Sequence, residues 1–302
     1  MDKKPKFIDS VLSPLGIAHE RLVNLSNSKK ANRMHKIILP ALSGVLRPLP
    51  SRKRVREVLL KVAKSRQPNI YRMGPDGSIA REMIDPKNTK ALDETADFIR
   101  STFKIARIVF PASVQERFSE TMDALENIPE YHLIIITAKG AKNAVVAGYC
   151  TIYTAPEGIA LIDAIGRDPA YKESISILRK LLEKIPEFLE THRQKALLIQ
   201  VVDPAFAANA ESKLYWEKRI RVYRQLDFKA LDLPSYLPSY TKNQNKCVYM
   251  AKFFGENKAI TKKEAISFLL RLSREFYLEK EAPGKLIEEI EKKESEEIGR
   301  LE

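Results

Sequence analysis

Hydrophobic positions recur at two spacings along the chain, and the changes of spacing mark its elements. Between Ser51 and Lys64, Val55, Val58, Leu59 and Val62 fall three and four apart, while Arg54, Arg56, Lys61 and Lys64 cover most of the rest. That pattern predicts an amphipathic helix, preceded by Pro48 and Pro50 and capped by Ser51. Met73 to Ser78, rich in Gly, Pro and Asp, is a turn signal. Beyond it, Ile79 to Ile84 reads as a short strand, and Thr89 to Phe103 and Ser113 to Leu125 as helices. Tyr131 to Ala138 and Ala144 to Thr154 are apolar runs of strand type, separated by a turn at Lys139 to Lys142, and Gly158 to Ile165 is a third.

Helical spacing returns at Tyr171 to Arg193, where Ile175, Leu178, Leu182 and Ile185 line one face and Pro186 is expected to kink or divide the helix. Ala196 to Val202 is a buried-type strand, and Glu211 to Leu226 a helix with Trp216, Ile220 and Tyr223 on one side. Phe228 to Leu233 and Cys247 to Phe253 read as the last strands. Thr261 and Glu264 form a capping box that opens a helical tail, which Pro283-Gly284 interrupts. A meander of strands feeding an α-crossover implies an α/β fold, a mixed sheet covered by helices on its faces.

Charge divides the 302 residues unevenly. Residues 1–90 hold 20 Lys/Arg against 7 Asp/Glu, whereas residues 91–302 hold 32 of each, so the whole +13 sits in the front end. The 44% hydrophobic content suits a protein with a proper core and excludes a wholly disordered chain. Two cysteines, Cys150 and Cys247, read as buried free thiols in a reducing compartment. The uncharged run Ile37 to Leu46 is too short to span a bilayer, and the N-terminus carries no apolar secretory segment, so a cytoplasmic location is expected. His19, His35, His132 and His192 are scattered without metal-ligand spacing, so no structural metal is expected. Gly-rich phosphate loops, GxSxG and GxGxxG are all missing from the sequence.

Two local motifs carry a resemblance. Ile162 to Lys172, reading I-D-A-I-G-R-D-P-A-Y-K, is followed at the expected separation by Tyr223 to Lys229, reading Y-R-Q-L-D-F-K. Together with the element order, the chain over about residues 75–255 resembles the GNAT superfamily of N-acetyltransferases. The first motif is similar to the family's fourth strand running into the V-D-P-x-Y-R start of the acetyl-CoA helix, the second to its Y-E-K-L-G-F-K. The family's pyrophosphate loop reads R-x-x-G-x-G/A, and here Lys172 to Ile177 holds no glycine, with Ser174 and Ser176 at the small positions. Asp227 stands where the family has the glycine of L-G-F.

The resemblance implies a GNAT-like mixed, mostly antiparallel sheet flanked by helices. It divides the chain into a basic, partly helical extension (1–74), an acyltransferase domain (75–255) and a helical C-terminal extension (256–302). It implies acetyl-CoA as cosubstrate and a small-molecule or peptide amine as acceptor. Tyr223 takes the place of the general acid near the coenzyme sulfur, though its position beside Trp216 and Ile220 equally suits a core aromatic. Asp163 aligns with the strand carboxylate that some members use as base. By strict alternation it shares a face with Leu161, Ile165 and Arg167, which leaves a base and an ion-pair partner of Arg167 both open. Ile165, Gly166 and Arg167 are implied for pantetheine, with the backbone N–H groups of Gly166 and Arg167 pinning it. Lys172, Ser174 and Ser176 are implied for the pyrophosphate, and Tyr236 and Tyr240 for the acceptor pocket.

A second reading comes from a different class: a catalytically inactive GNAT-fold binding module. In it the basic arm, residues 1–74, contacts nucleic acid, an anionic surface or a protein partner. The basic helix 51–64 also suits a plainer role, packing its Val/Leu face on the neutral body with a solvated basic side.

Overall fold

The computed structural model describes residues 49–64, 69–82, 84–109, 117–140, 144–171, 174–207, 210–235, 247–256, 259–276 and 283–298. In chain order these form α1 (Arg52–Lys64), β1 (Ile70–Met73), β2 (Ile79–Arg81), α2 (Thr89–Val109), α3 (Arg117–Asn127), β3 (Tyr131–Lys139), β4 (Ala144–Thr154) and β5 (Ile159–Arg167). There follow α4 (Ser174–Thr191), β6 (Ala196–Val202), α5 (Ala210–Gln225), β7 (Lys229–Pro234) and β8 (Cys247–Phe253). The tail holds β9 (Ile260–Thr261), α6 (Lys262–Arg271), a π-helical turn over Leu272–Phe276, α7 (Gly284–Glu291) and β10 (Glu297–Ile298). Pro186 lies inside α4 without dividing it.

The sheet runs β2-β1-β3-β4-β5-β6-β8-β7. Its pairs are antiparallel except β1–β3 and β5–β6, each joined by a helical crossover. This is the mixed, mostly antiparallel, helix-flanked α/β sheet that the resemblance implies. Strands β3 to β6 read as near-continuous apolar runs because helices cover both faces. On one face α1, α2, α3 and α6 enclose a core with Leu59, Ile99, Phe103, Tyr131, Tyr153 and Phe268. On the other face, α4 and α5 cover Ile134, Cys150, Ile165, Leu181, Ile185 and Tyr223.

Packing runs across residues 74 and 255. The strand β1 lies inside the sheet, and Val55, Val58, Leu59 and Val62 of α1 are buried at 0–3% exposure in the first core. Phe268, Leu272, Ile290 and Ile298 of the tail belong to that same core. The basic side of α1 is exposed, as expected, and it is also paired. Arg52 meets Asp97, Arg56 meets Asp93 at 3.2 Å, Arg54 meets Asp123 at 2.8 Å and Glu126 at 3.3 Å, and Lys61 also meets Glu126. Such surface pairs contribute about 1 kcal/mol or less each, so the apolar stripe holds the helix and the charges set its rotation. Among the described residues no helix is long and apolar enough to cross a membrane, and Cys150 and Cys247 are free thiols.

Candidate active site

The sheet changes character along β5. Parallel pairing with β6 runs from Ile159↔Ala196 to Ile162↔Ile199 and stops there, although β5 continues to Arg167 and β6 to Val202. The stop coincides with a β-bulge. Ile152 of β4 pairs with Ile162 and the preceding Thr151 with Ala164, which leaves Asp163 as the extra residue. A bulge bends its strand and sharpens the twist, so the second half of β5 diverges from β6. Residues 163–167 then form about 16 Å of β5 without ladder pairing to β6, an opening in the hydrogen bonding of the sheet.

Two hydrogen bonds show which backbone groups face that opening. Asp168 N–H donates to Ala147 O at 2.8 Å, and Ala164 N–H donates to Thr151 Oγ1 at 3.0 Å. Residues 164, 166 and 168 therefore turn their backbone polar groups toward β4, and by antiparallel alternation Ile165 and Arg167 turn theirs toward the opening. The register thus turns the backbone groups of Gly166 to β4, whereas the pantetheine contact expected of its N–H needs them on the far side. Glycine at 166 is required by space instead, since a Cβ there would lie 2.6 Å from Tyr149 Cε1. The ring of Tyr149 covers that position.

The bulge also separates the face of Asp163 from that of Ile165 and Arg167. Leu161, Tyr131, Tyr149 and Tyr153 belong to the first core and Ile162 and Ile165 to the second, because the extra residue reverses the alternation. Asp163 therefore lies on the α2 side, while Ile165 and Arg167 face α4 and α5. Its carboxylate accepts from the Tyr131 hydroxyl at 2.9 Å and, at 3.5 Å, from Thr151 Oγ1. Burial raises the Tyr131 and Tyr149 hydroxyls well above the usual phenol range, and the charge of Asp163 adds to the effect. Among the described residues, the buried Tyr149 hydroxyl has no hydrogen-bond partner.

Tyr223 approaches from the other face. It stands at the end of α5, where Phe228 N–H closes back onto Tyr223 O at 3.0 Å and Asp227 adopts φ 67°. This is a glycine-type helix terminus, so the glycine of the family motif is replaced here without loss of the left-handed turn. Tyr223 is buried against Phe228, with its hydroxyl accepting from Arg219 Nε at 2.7 Å. Burial pushes the hydroxyl up and the Arg219 guanidinium opposes this, with Tyr215 and Cys150 adding smaller upward effects. Since Cys150 is the cross-strand neighbour of Ile165, the phenol lies at the end of the sheet where β5 leaves β6.

Of the remaining predicted residues, Ser174 opens α4 and Ser176 is exposed in its first turn. Lys172, Tyr236 and Tyr240 lie outside the described residues. Sequence reasoning missed Tyr131, Tyr149, Thr151 and Arg219. Only Arg219 left a signal, four residues before Tyr223 on one helix face. The others meet Asp163 through strand register and an unforeseen bulge.

A second cluster lies at the other end of α4. A cavity of about 560 Å³ between the β1–β2 turn and α4 is lined by Tyr71, Arg81, Lys184, Phe188 and His192, among others. Behind it His132 and His192, far apart in sequence, have ring centroids 5.0 Å apart. His132 Nε2 lies 2.9 Å from Thr154 Oγ1, which in turn lies 3.2 Å from Glu130 O. Burial, then His192 and Arg81, lower His132 to about 3, so it is neutral. No group of three or more His, Cys, Asp and Glu that could hold a metal occurs among the described residues.

No family model matches the chain, and no curated protein does. Solved structures similar to it include a putative acetyltransferase of the GNAT family from Desulfovibrio desulfuricans (16% identity, TM-score 0.38, covering 53% of this chain and 92% of that one). The ribosomal-protein-S18-alanine N-acetyltransferase from Escherichia coli is similar at 20% identity, TM-score 0.35, over 53% of this chain and 91% of that one. An aminoglycoside 6'-N-acetyltransferase complexed with coenzyme A is similar at 12% identity, TM-score 0.39, over 57% and 96%.

Proposed function

We propose that the chain is an acyl-CoA-dependent N-acyltransferase, transferring an acetyl group to an amine. The observation that carries this reading is the opening after Ile162/Ile199, into which Ile165 and Arg167 turn backbone groups suited to an extended amide-bearing ligand. Acetyl-CoA supplies the activated thioester when bound. Ile165 and Arg167 hold its pantetheine amides, and Lys172, Ser174 and Ser176, leading into α4, hold its phosphates by charge, hydroxyls and the helix N-terminus.

On the α2 side, Asp163 takes the proton of the acceptor ammonium at Oδ, which frees the amine to attack, and the Tyr131 bond orients the carboxylate. The buried Tyr149 hydroxyl gives the amine or its carbonyl a further polar contact. Tyr236 and Tyr240 are the acceptor contacts that the resemblance implies. On the α5 side, Tyr223 holds the proton that the departing sulfur takes up. Base and acid thus reach one tetrahedral centre from opposite faces of the sheet, where β5 is no longer paired with β6.

Isothermal titration of the full chain with acetyl-CoA tests the reading. Saturable binding is expected, and Ile165→Pro, which removes the backbone donor turned away from β4, should weaken it about tenfold in a chain whose circular dichroism shows it folded. No heat at millimolar coenzyme would overturn it.

A further inference from the structure

Arg219 occupies an unusual setting. Its Nε donates to Tyr223 at 2.7 Å and a terminal nitrogen donates to the Tyr215 hydroxyl at 3.1 Å. Its guanidinium carbon lies 5.4 Å from the ring centroid of Trp216 and 5.6 Å from that of Tyr223. Tyr215 and Trp216 themselves pack edge to face at 5.0 Å. No carboxylate pairs with this guanidinium among the described residues, so one full positive charge is held by three aromatic side chains of its own helix. Stability alone gives little reason for that arrangement, because a half-buried arginine normally takes a carboxylate.

The hydrogen-bond directions are informative. An arginine can only donate, so the Tyr223 oxygen is an acceptor in this bond and its own hydrogen must point elsewhere. None of the described residues accepts that hydrogen. The remaining groups that act on the phenol are Tyr215 on the same helix and Cys150 on β4, both neutral; Phe228 contributes only its ring. Arg219 is thus the charged group in hydrogen-bond contact with Tyr223.

We propose that Arg219 is a positioning residue for Tyr223, turning its hydrogen away from α5 toward the β5–β6 opening and stabilising the phenolate left when the proton departs. In the transfer the Tyr223 O–H bond breaks and the proton goes to the departing sulfur. The negative charge moves onto the phenol oxygen beside Arg219 Nε, and the phenolate later regains a proton from water. The destination of the proton rests on the acyltransferase reading; the control of Tyr223 by Arg219 does not.

The test uses the full chain carrying 3-fluorotyrosine only at position 223, titrated by fluorine NMR. Ring fluorination lowers the phenol's midpoint and brings it into an accessible range. Arg219→Met should raise the midpoint by about one to three pH units, while Arg219→Lys, which keeps a charge there, should recover at least half of that shift. An unchanged midpoint in Arg219→Met would overturn the proposal. If Arg219→Met fails to fold, the Arg219→Gln chain provides the same comparison. Turnover is read separately: in an active chain Arg219→Met lowers kcat and moves its alkaline limb upward, with the KM for coenzyme unchanged. A wild-type chain without acyl transfer but with the Arg219-dependent midpoint would sink the enzyme reading and leave this one standing.

Discussion

The hydroxyl of Tyr131 donates to Asp163 Oδ2 at 2.9 Å, linking the first residue of β3 to the bulge of β5 across the intervening β4. The pair holds a half-buried carboxylate in place where β5 leaves β6. Removing the donor takes away the shorter of the two hydrogen bonds described for that carboxylate. Tyr131→Phe should destabilise the chain by about 1–3 kcal/mol at neutral pH. The loss should shrink in an Asp163→Asn background, with a coupling of about 0.5–3 kcal/mol from urea unfolding of the four chains. Additive losses would show that the bond has no energetic weight.

Gly166 and Tyr149 form a second obligatory contact. Gly166→Ala places a methyl group 2.6 Å from Tyr149 Cε1, so the ring must shift inside a packed core. A loss of about 1–3 kcal/mol is expected. The double variant Gly166→Ala/Tyr149→Leu should lose less than the sum of the two single variants, as read from urea midpoints.

Asp227 adopts a conformation suited to glycine, with φ 67° at the end of α5. Asp227→Gly should therefore stabilise the chain by about 1 kcal/mol, without altering the Tyr223 site. Thermal unfolding measures the gain, and a lowered midpoint would show that the aspartate side chain compensates for the strain.

His132 makes stability depend on pH with a definite sign. The unfolded imidazole takes a proton near pH 6.5, whereas burial holds the folded one neutral until about 3. A depressed histidine favours the unfolded state in acid. Its contribution is therefore full above pH 6.5 and declines by about 1.4 kcal/mol per pH unit as pH falls from there toward 3. Replacing His132 with Gln should remove that part of the slope, measured as the urea midpoint at pH 7, 5.5 and 4.5. Parallel curves for both chains would refute the assignment.

Four basic residues of α1 are already committed to α2 and α3. Changing the pairs Arg52/Asp97 and Arg56/Asp93 to alanine in one chain should leave any affinity for duplex DNA within about twofold, because each change removes a neutral pair. Removing residues 1–48, which carry nine Lys/Arg against three Asp/Glu, should abolish such binding if the basic front end is its source. Electrophoretic mobility shifts with the two chains distinguish these contributions. Leu59→Ala, by contrast, should cost about 2–5 kcal/mol, since Leu59 is fully buried.

Much of the architecture was legible from local pattern. Ala144–Thr154, Ala196–Val202 and Cys247–Phe253 fall where the apolar runs predict them, and the capping box at Thr261 and Glu264 forms as read. These features depend on side-chain spacing and capping chemistry within a few residues. The strand β1 was missed because four residues, Ile70–Met73, carry too short a pattern to outweigh the turn that follows them. Pro186 was expected to disturb α4, yet the apolar face holds the helix together through it.

The site was legible in part. Asp163, Ile165, Arg167 and Tyr223 were named from two motifs, and the register brings them to the region where β5 diverges from β6. Their orientation was not legible, because strand alternation assumes an unbroken count and the bulge at Asp163 inserts one residue. That insertion leaves the aspartate with Leu161 on the α2 side, moves Ile165 and Arg167 to the other face, and turns the backbone of Ile165, not of Gly166, away from β4. Likewise the +13 read as a basic arm until α1 met the acidic faces of α2 and α3. Local sequence specifies which residues form each element. Which face each residue presents, and which charges cancel, depends on register and packing between segments far apart in the chain, and a single sequence does not carry that information in any short window.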